Sequence, residues 1–111
     1  MRGNFMTFLN LKDIQTKEIL PGFKVRFVHS ENMTFGHWKI TKGSSLPAHS
    51  HPHEQVTHVL EGEFELTVGD ETRMLTSDMG AVIPPNVPHS GRAITDCRVI
   101  DTFYPVREDY R

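Results

Sequence analysis

Apolar and polar residues alternate along much of this chain, which is the periodicity of half-buried β-strands. The alternation is strict over Phe23–Phe27 and Phe64–Val68, so each of these segments has one apolar and one polar face. Further strands are predicted at 34–40, 55–60, 73–75, 80–83 and 98–104, separated by short turn sequences such as Pro21-Gly22, Glu61-Gly62 and Gly69-Asp70. Short strands with closely spaced turns predict an all-β fold, an antiparallel sandwich or barrel.

The first twenty residues have a different pattern. Their apolar residues fit either one short helical turn or an edge strand, and they are Phe5, Phe8, Leu9, Leu11 and Ile14. No segment after Phe23 carries a sustained helical period, and the sequence shows no internal repeat or linker. The length of 111 residues favours a single domain over residues 1–111.

Composition and charge exclude several classes of protein. Hydrophobic residues make up 37 % and charged residues 23 %, which is typical of a globular protein and not of a disordered or fibrous one. A formal net charge of −2 disfavours nucleic acid and anionic membranes as partners. The sequence has no apolar run of the roughly 18–20 residues that span a membrane, and no apolar stretch typical of a signal peptide. Cys97 is the one cysteine and cannot form an intramolecular disulfide, so the sequence gives no sign of an oxidising compartment and a cytoplasmic protein is expected.

Histidine is the unusual component of the composition, because four of the seven histidines fall within one stretch of ten residues. In an extended chain His49 and His51 project from the same face, and two imidazoles so placed can bind one cation at about 2.0–2.1 Å. Gln55 has the same parity if the chain stays extended. The proline-rich turn at 84–88 holds His89 at the start of the following strand. These four residues are the predicted ligands of one divalent metal ion.

The spacing of these residues resembles the two signature motifs of the cupin superfamily. The resemblance spans roughly residues 43–89 and rests on Gly43, His49, His51, Gln55, Gly62, Pro84, Asn86 and His89. It implies a small antiparallel jelly-roll β-barrel, and it places the metal ligands at the four residues named above. The sequence departs from the motifs at Gln55, where glutamate is usual, and at Asp78 and Asn86, where glycines are usual.

The glutamine changes the chemistry expected of the site. A neutral set of three imidazoles and one amide leaves the full charge of a divalent ion, which makes the ion a stronger Lewis acid and a better binder of anions. An anionic substrate is therefore expected. These ligand types accept zinc, nickel, iron, cobalt or manganese alike, so they do not identify the metal.

The C-terminal segment Asp101–Tyr110, together with the glutamine of the first motif, is similar to small single-domain cupins of the KdgF type. Members of that group convert 4,5-unsaturated uronate monosaccharides, released by pectin and alginate lyases, into the linear 4-deoxy-5-keto form. The similarity implies catalytic roles for Asp101, Phe103 and Arg107, a small anionic sugar-acid substrate and a homodimer. Outward apolar residues suggested for the dimer contact are Val56, Leu60 and Ile100.

The same tail residues can be interpreted without the family. In a strand through 99–103, Asp101 and Phe103 share one face. Asp101 in a cavity can act as an acid or base, or it can be a structural hydrogen-bond acceptor. Phe103 offers an apolar surface to a sugar ring. Arg107 can bind a carboxylate with its guanidinium fork, or it can form a salt bridge with Glu108 or Asp109.

The other polar residues near the motifs have simpler interpretations. His53 is expected at the rim of the pocket and Glu54 in solvent or just behind the ligands. His37 and His58 fit sheet faces or a subunit contact. Cys97 has no activating neighbour in the sequence and is expected to pack in the core.

Two other functions remain open on the same scaffold. An iron-dependent dioxygenase would require ferrous iron and oxygen, and Gln55 counts against it because such iron sites use a carboxylate ligand. The second alternative is a non-catalytic barrel that captures a small molecule for a partner protein. It remains open because one fold can host many functions.

Overall fold

The computed structural model describes residues 7–111 as β-strands with two short 3-10 turns, at Leu11–Asp13 and Glu108–Tyr110. The strands are β1 (Lys17–Leu20), β2 (Phe23–His29), β3 (Thr34–Ile40), β4 (Ser45–His49), β5 (Glu54–Glu61), β6 (Phe64–Val68), β7 (Glu71–Leu75), β8 (Gly80–Ile83), β9 (His89–Ala93) and β10 (Cys97–Tyr104). The predicted all-β jelly-roll barrel is confirmed. Within residues 7–111, no helix has the length and apolar character needed to cross a membrane.

Two antiparallel sheets form the barrel. The larger sheet has the strand order β1-β2-β3-β10-β5-β8, and the smaller one has the order β4-β9-β6-β7. Both sheets contribute to one apolar core, Val59, Ile83 and Val99 from the larger sheet and Phe64 and Leu66 from the smaller. The core therefore lies between the sheets, as the strict alternation of the strands predicts.

Burial along β5 shows how the alternation sorts the side chains. Gln55, Thr57 and Val59 point inward and are at most 7 % exposed. Val56 and Leu60 point outward and are 43 % and 37 % exposed. The inward face of β5 is polar at its start and apolar further along. Its polar side chains therefore lie inside the barrel instead of on its surface.

The register between β5 and β10 fixes which inward residues face one another. Asp101 lies opposite Thr57, and Phe103 lies opposite Gln55. Directly opposed residues on one face of an antiparallel pair have their Cβ atoms roughly 4.5–5.5 Å apart, within hydrogen-bonding reach of polar side chains. The register thus brings two polar side chains of distant sequence together inside the barrel.

Both structures considered for the N-terminal segment occur, one after the other. Leu11–Asp13 forms a 3-10 turn whose start is capped by Asn10, which accepts from the Lys12 N–H at 3.0 Å. Lys17–Leu20 then forms β1, an edge strand paired with β2. β1 is mostly exposed, and this explains why its sequence lacks the alternation of a half-buried strand. Phe5, which shared the same prediction, lies outside the described residues.

The backbone conformation explains why Asp78 and Asn86 can replace the usual motif glycines. They have φ angles of +69° and +65°, in the left-handed region that glycine usually occupies. Aspartate and asparagine tolerate this region better than other residues, because their short polar side chains can bond locally. The substitutions therefore preserve the turns of the second motif.

We expect Gly62→Ala to destabilise the fold more than Gly43→Ala. Both glycines have positive φ, +93° and +86°, so each alanine loses about 1–2 kcal/mol from the left-handed backbone. A Cβ at position 62 would also overlap the carbonyl oxygen of Asp96, whereas one at position 43 meets no atom within 4 Å. The overlap adds roughly 1–3 kcal/mol.

Urea denaturation of the two variants and the wild-type protein measures the difference in the free energy of unfolding. Equal losses for both variants would mean that the turn after Glu61 relaxes freely and that the close approach to Asp96 does not constrain it.

Candidate metal centre

The predicted ligands come from both sheets. His49 ends β4 and is paired directly with His89, the first residue of β9, in the smaller sheet. His51 lies in the connection that follows, and Gln55 is the second residue of β5 in the larger sheet. The chain crosses from one sheet to the other at 50–53, so it does not stay extended from His49 to Gln55, which was the condition for their shared parity. Their convergence comes from that crossing and not from a shared strand face.

The three imidazoles form a compact cluster at the mouth of the barrel. One ring nitrogen from each of His49, His51 and His89 lies within 4.8 Å of the other two. The ring centroids of His49 and His89 are 4.2 Å apart, and those of His51 and His89 are 4.9 Å apart. Two nitrogen ligands about 2.1 Å from one ion are at most about 4.2 Å apart, so only a small inward rotation of the rings is needed.

Backbone carbonyls orient all three rings. The Nδ1 of His49 lies 2.9 Å from the Pro47 oxygen, that of His51 lies 3.0 Å from the His53 oxygen, and that of His89 lies 3.0 Å from the Val87 oxygen. A carbonyl oxygen only accepts, so each Nδ1 carries the hydrogen. Each Nε2 is left with its lone pair, which is the usual second-sphere arrangement behind metal-binding histidines.

Two polar atoms in the cluster fit a bound cation. The Nε2 of His89 is buried and has no hydrogen-bond partner. The Nε2 of His51 lies 3.0 Å from Gln55 Oε1, so two acceptors face each other once Nδ1 has taken the hydrogen. Buried polar atoms without a partner are costly, and a cation shared by these atoms would satisfy them together.

Burial also favours the ligating form of the rings. It lowers the pKa of His51 and His89. The nearby Arg107 guanidinium lowers both values further. A lowered pKa keeps the imidazole neutral, and only the neutral imidazole can bind a metal.

The two ligand-bearing segments are tied to each other by a peptide hydrogen bond. The backbone N–H of Asn86 donates to the carbonyl oxygen of His51 at 2.8 Å. The left-handed conformation of Asn86 turns the chain at this point, three residues before His89. The second motif therefore holds the first in position.

A buried hydrogen-bonded chain runs behind Gln55. The amide nitrogen of Gln55 donates to Thr57 Oγ1 at 3.0 Å, and Thr57 donates to Asp101 Oδ1 at 2.6 Å. Burial raises the pKa of Asp101, while the hydrogen bond from Thr57 acts in the opposite direction. Asp101 is a hydrogen-bond acceptor here and also lines the cavity, so both roles considered for it meet in one side chain.

Arg107 lines the cavity, with its guanidinium between two aromatic rings. The guanidinium carbon is 4.8 Å from the centre of the Phe103 ring and 4.2 Å from that of Tyr110. Its Nε and one terminal nitrogen donate to Asp109 at 3.0 and 2.7 Å, and its backbone N–H donates to buried Thr34. The salt bridge with Asp109 and the position in the cavity wall therefore occur together. Asp109 takes up two of the five guanidinium hydrogens.

The cavity between the histidines and the core has a volume of about 70 Å³. That is room for several water molecules or one small ligand, since a single water needs roughly 10–15 Å³ of such space. Apolar residues line most of it, among them Leu20, Phe23, Trp38, Ile40 and Leu46. Its polar groups are concentrated on one wall, which is typical of a small-molecule site.

The remaining sequence-predicted residues stay outside the cluster. His53 is half-buried beside His51 and contributes its carbonyl oxygen instead of its ring. Glu54 and His58 are exposed, and His37 is half-buried on the outer side of β3. Cys97 is buried at the start of β10, and burial raises the pKa of its thiol, which makes it unreactive.

Sequence reasoning assigned no role to Thr57 and Tyr110. Thr57 shares its parity with Gln55, which is a signal that it points inward, but its partner Asp101 depends on the pairing of β5 with β10. Tyr110 reaches the cavity only because the C-terminal turn packs back on the barrel, where its ring stacks on Phe27 at 4.4 Å. No local pattern carries that information.

A family model described as a cupin domain matches residues 36–103 of this chain. The chain belongs to the cupin family. Among solved structures, an RmlC-like cupin from Shewanella frigidimarina has 30 % identity and a TM-score of 0.91, with 96 % of this chain and 97 % of that chain covered. KdgF from a Halomonas species has 26 % identity and a TM-score of 0.89, with 96 % of this chain and 100 % of that chain covered.

A curated relative of this cupin is named H2HPP isomerase and comes from Bacillus subtilis. The two sequences are 45 % identical over 58 residues, which are 51 % of this chain and 25 % of the relative. The match thus spans a quarter of that relative's length.

Replacing His51 by alanine is expected to weaken metal binding by more than the roughly 10–100-fold typical of losing an outer-sphere partner, because a ligand is lost outright. His58→Ala is the matched control, since this histidine is exposed on the outer face of β5. Titration of each metal-free protein with Zn²⁺, Ni²⁺ or Co²⁺ measures the affinity. If His51→Ala retained the affinity of the wild-type protein, the cluster would not be the metal site.

Proposed function

We propose that this cupin is a metal-dependent isomerase that converts 4,5-unsaturated uronate monosaccharides to their linear 4-deoxy-5-keto form. The observation that carries the proposal is the polar wall of the cavity, where a neutral ligand set stands beside Asp101 and Arg107. The structural similarity to KdgF and the isomerase name of the Bacillus relative both support an isomerisation.

His49, His51, His89 and the Oε1 of Gln55 would hold a divalent transition-metal ion. The ion would supply Lewis-acid polarisation of substrate oxygens with no change of redox state. The ligand set is neutral, so an anionic substrate is attracted to the site instead of being repelled by a ligand carboxylate.

The reaction moves one proton and breaks one ring bond, with no atoms gained or lost. The anomeric hydroxyl loses its proton as the bond from the anomeric carbon to the ring oxygen breaks, and the former ring oxygen takes up a proton, which leaves an aldehyde and an enol. The enol hydroxyl then loses its proton as carbon 4 gains one, which gives the 5-ketone, so the net change is one proton moved from the anomeric hydroxyl to carbon 4. Asp101 is the residue proposed to carry the proton, because its carboxyl lines the cavity and burial brings its pKa upward toward the range useful to an acid or base.

Arg107 is proposed to bind the substrate carboxylate. Asp109 holds one side of its guanidinium, and the free end-on fork can form a second two-point contact. Phe103 was expected to provide a platform for the sugar ring. It packs against both Arg107 and His51, so its contribution is to support these two groups and to provide an apolar wall.

The proposal includes a homodimer through the outer face of the larger sheet. Val56 and Leu60 are exposed there at 43 % and 37 %, and Ile100 is half-buried beside them. Val82 of the neighbouring strand, which lies opposite Val56, is 64 % exposed and extends the apolar surface.

A second candidate is the isomerisation of a different small anion, favoured by the 45 % identity over 58 residues to H2HPP isomerase. The ligands and the Arg107 contact would be the same, and only the fit of the substrate in the cavity would differ. Salicylate 1,2-dioxygenase from Pseudoaminobacter salicylatoxidans also resembles this chain, at 18 % identity, and that likeness shows the fold alone.

The metal-loaded protein is expected to accelerate the loss of ultraviolet absorbance from the conjugated double bond of unsaturated galacturonate or mannuronate. Asp101→Asn should lower the rate by roughly 10²–10⁴-fold, as expected for loss of a general acid or base. His51→Ala serves as the control without metal. Unchanged turnover in Asp101→Asn would remove the assigned role, and no turnover of either sugar by metal-loaded protein would favour the second candidate or a binding protein.

Arg107→Lys keeps the positive charge but loses the fork, so we expect the KM for the uronate to rise by roughly tenfold or more, with a smaller change in kcat. Arg98→Lys, on an exposed arginine of β10, is the matched control. Thermal denaturation of both variants shows whether the fold is also weakened. A lower melting temperature would indicate loss of the Asp109 contact, whereas an unchanged one would leave loss of substrate binding as the cause of the higher KM. A KM equal to that of the wild-type protein would exclude Arg107 as the carboxylate site.

A further inference from the structure

Gln55 differs from the other proposed ligands because its side chain has two unlike ends. The amide oxygen can bind a metal ion, whereas the NH₂ group is a donor that would repel one. The two ends have nearly the same shape, so packing alone cannot select between them. Something in the barrel must determine which end faces the histidines.

With Asp101 ionised, the hydrogen-bonded chain behind Gln55 has only one direction. Asp101 Oδ1 accepts from the Thr57 hydroxyl at 2.6 Å. The hydroxyl has one hydrogen, so once it donates to Asp101 it can only accept from Gln55, which lies 3.0 Å away. A group that donates to Thr57 must be the NH₂ end of the amide, and Oε1 is then left facing His51 Nε2 at 3.0 Å.

The fold holds this chain in place. Thr57 and Asp101 are directly opposed in the pairing of β5 with β10, and Thr57 is 3 % exposed. Gln55, two residues earlier on the same face of β5, is 7 % exposed. Water is thus kept from the bonds that orient the amide.

We infer that Thr57 is a positioning residue that fixes the amide of Gln55 with its oxygen toward the histidine cluster. The inference rests on the metal site of the proposed function and adds a residue that is not itself one of the proposed metal ligands. It also explains how glutamine can act as a metal ligand at a position where glutamate is usual. The two oxygens of a glutamate carboxylate are equivalent, so glutamate needs no such orientation.

The test is a double-mutant cycle read by Co²⁺ affinity. Thr57→Val removes the hydroxyl and keeps the shape, and it should weaken Co²⁺ binding by roughly 10–100-fold and change the visible Co²⁺ spectrum. Thr57→Ser should restore both. Thr67→Val is the matched control, because the Thr67 hydroxyl bonds to Thr72 on the smaller sheet.

The second half of the cycle repeats Thr57→Val in a Gln55→Glu background. A carboxylate presents an oxygen to the metal in either orientation, so the loss should shrink to less than about threefold. A loss of equal size in both backgrounds, or wild-type affinity in Thr57→Val alone, would overturn the inference. Thr57→Ala removes the same hydroxyl and replaces the valine variant if that one does not fold.

A metal-free measurement separates this inference from the proposed function. In ¹⁵N-labelled wild-type protein, the Gln55 side-chain NH₂ should give a distinct, slowly exchanging pair of signals that Thr57→Val abolishes. Failure of the wild-type protein to bind Co²⁺, Ni²⁺ or Zn²⁺ would overturn the metal site. An amide that stays fixed in Thr57→Val would overturn the positioning role on its own.

Discussion

The pairing of β5 with β10 is the constraint on which the site depends. Both strands alternate inward and outward residues, so a shift of one residue in the pairing would turn the Asp101 carboxyl away from Thr57. The buried Thr57 hydroxyl would then lose its acceptor. The observed register instead places the Thr57 hydroxyl against Asp101 and, two residues earlier on β5, the Gln55 amide nitrogen against Thr57. Below this pair, Val59 and Val99 face each other in the core and make any slipped register costly.

The sequence predicts the architecture well because one face of most strands is buried. Phe64–Val68, Thr34–Ile40 and Gly80–Ile83 match β6, β3 and β8 in the structure, and each lies against the core. β4 escapes prediction, and β1 is predicted only as one of two alternatives, because both strands have largely exposed side chains and therefore no alternation. The alternation of apolar and polar residues arises because one face of a strand is buried. A strand with no buried face therefore shows no alternation in its sequence.

The site was predictable only in part, for a related reason. His49, His51, Gln55 and His89 stand out by residue type and spacing, and the structure brings the three histidines within 4.8 Å of one another. Thr57 has no such signal, because its importance comes from the strand opposite. The pairing of Arg107 with Asp109 was foreseen as an alternative to a cavity position, and tertiary packing allows both.

The three histidines differ in their access to solvent. His89 and His51 are 2 % and 8 % exposed, whereas His49 lies in the open at the end of β4. An ion held by this cluster would therefore have one histidine ligand at the surface and two inside. Loading and release would proceed past His49 without any opening of the barrel, so the ion that occupies the cluster would be set by exchange with the surrounding pool of metals.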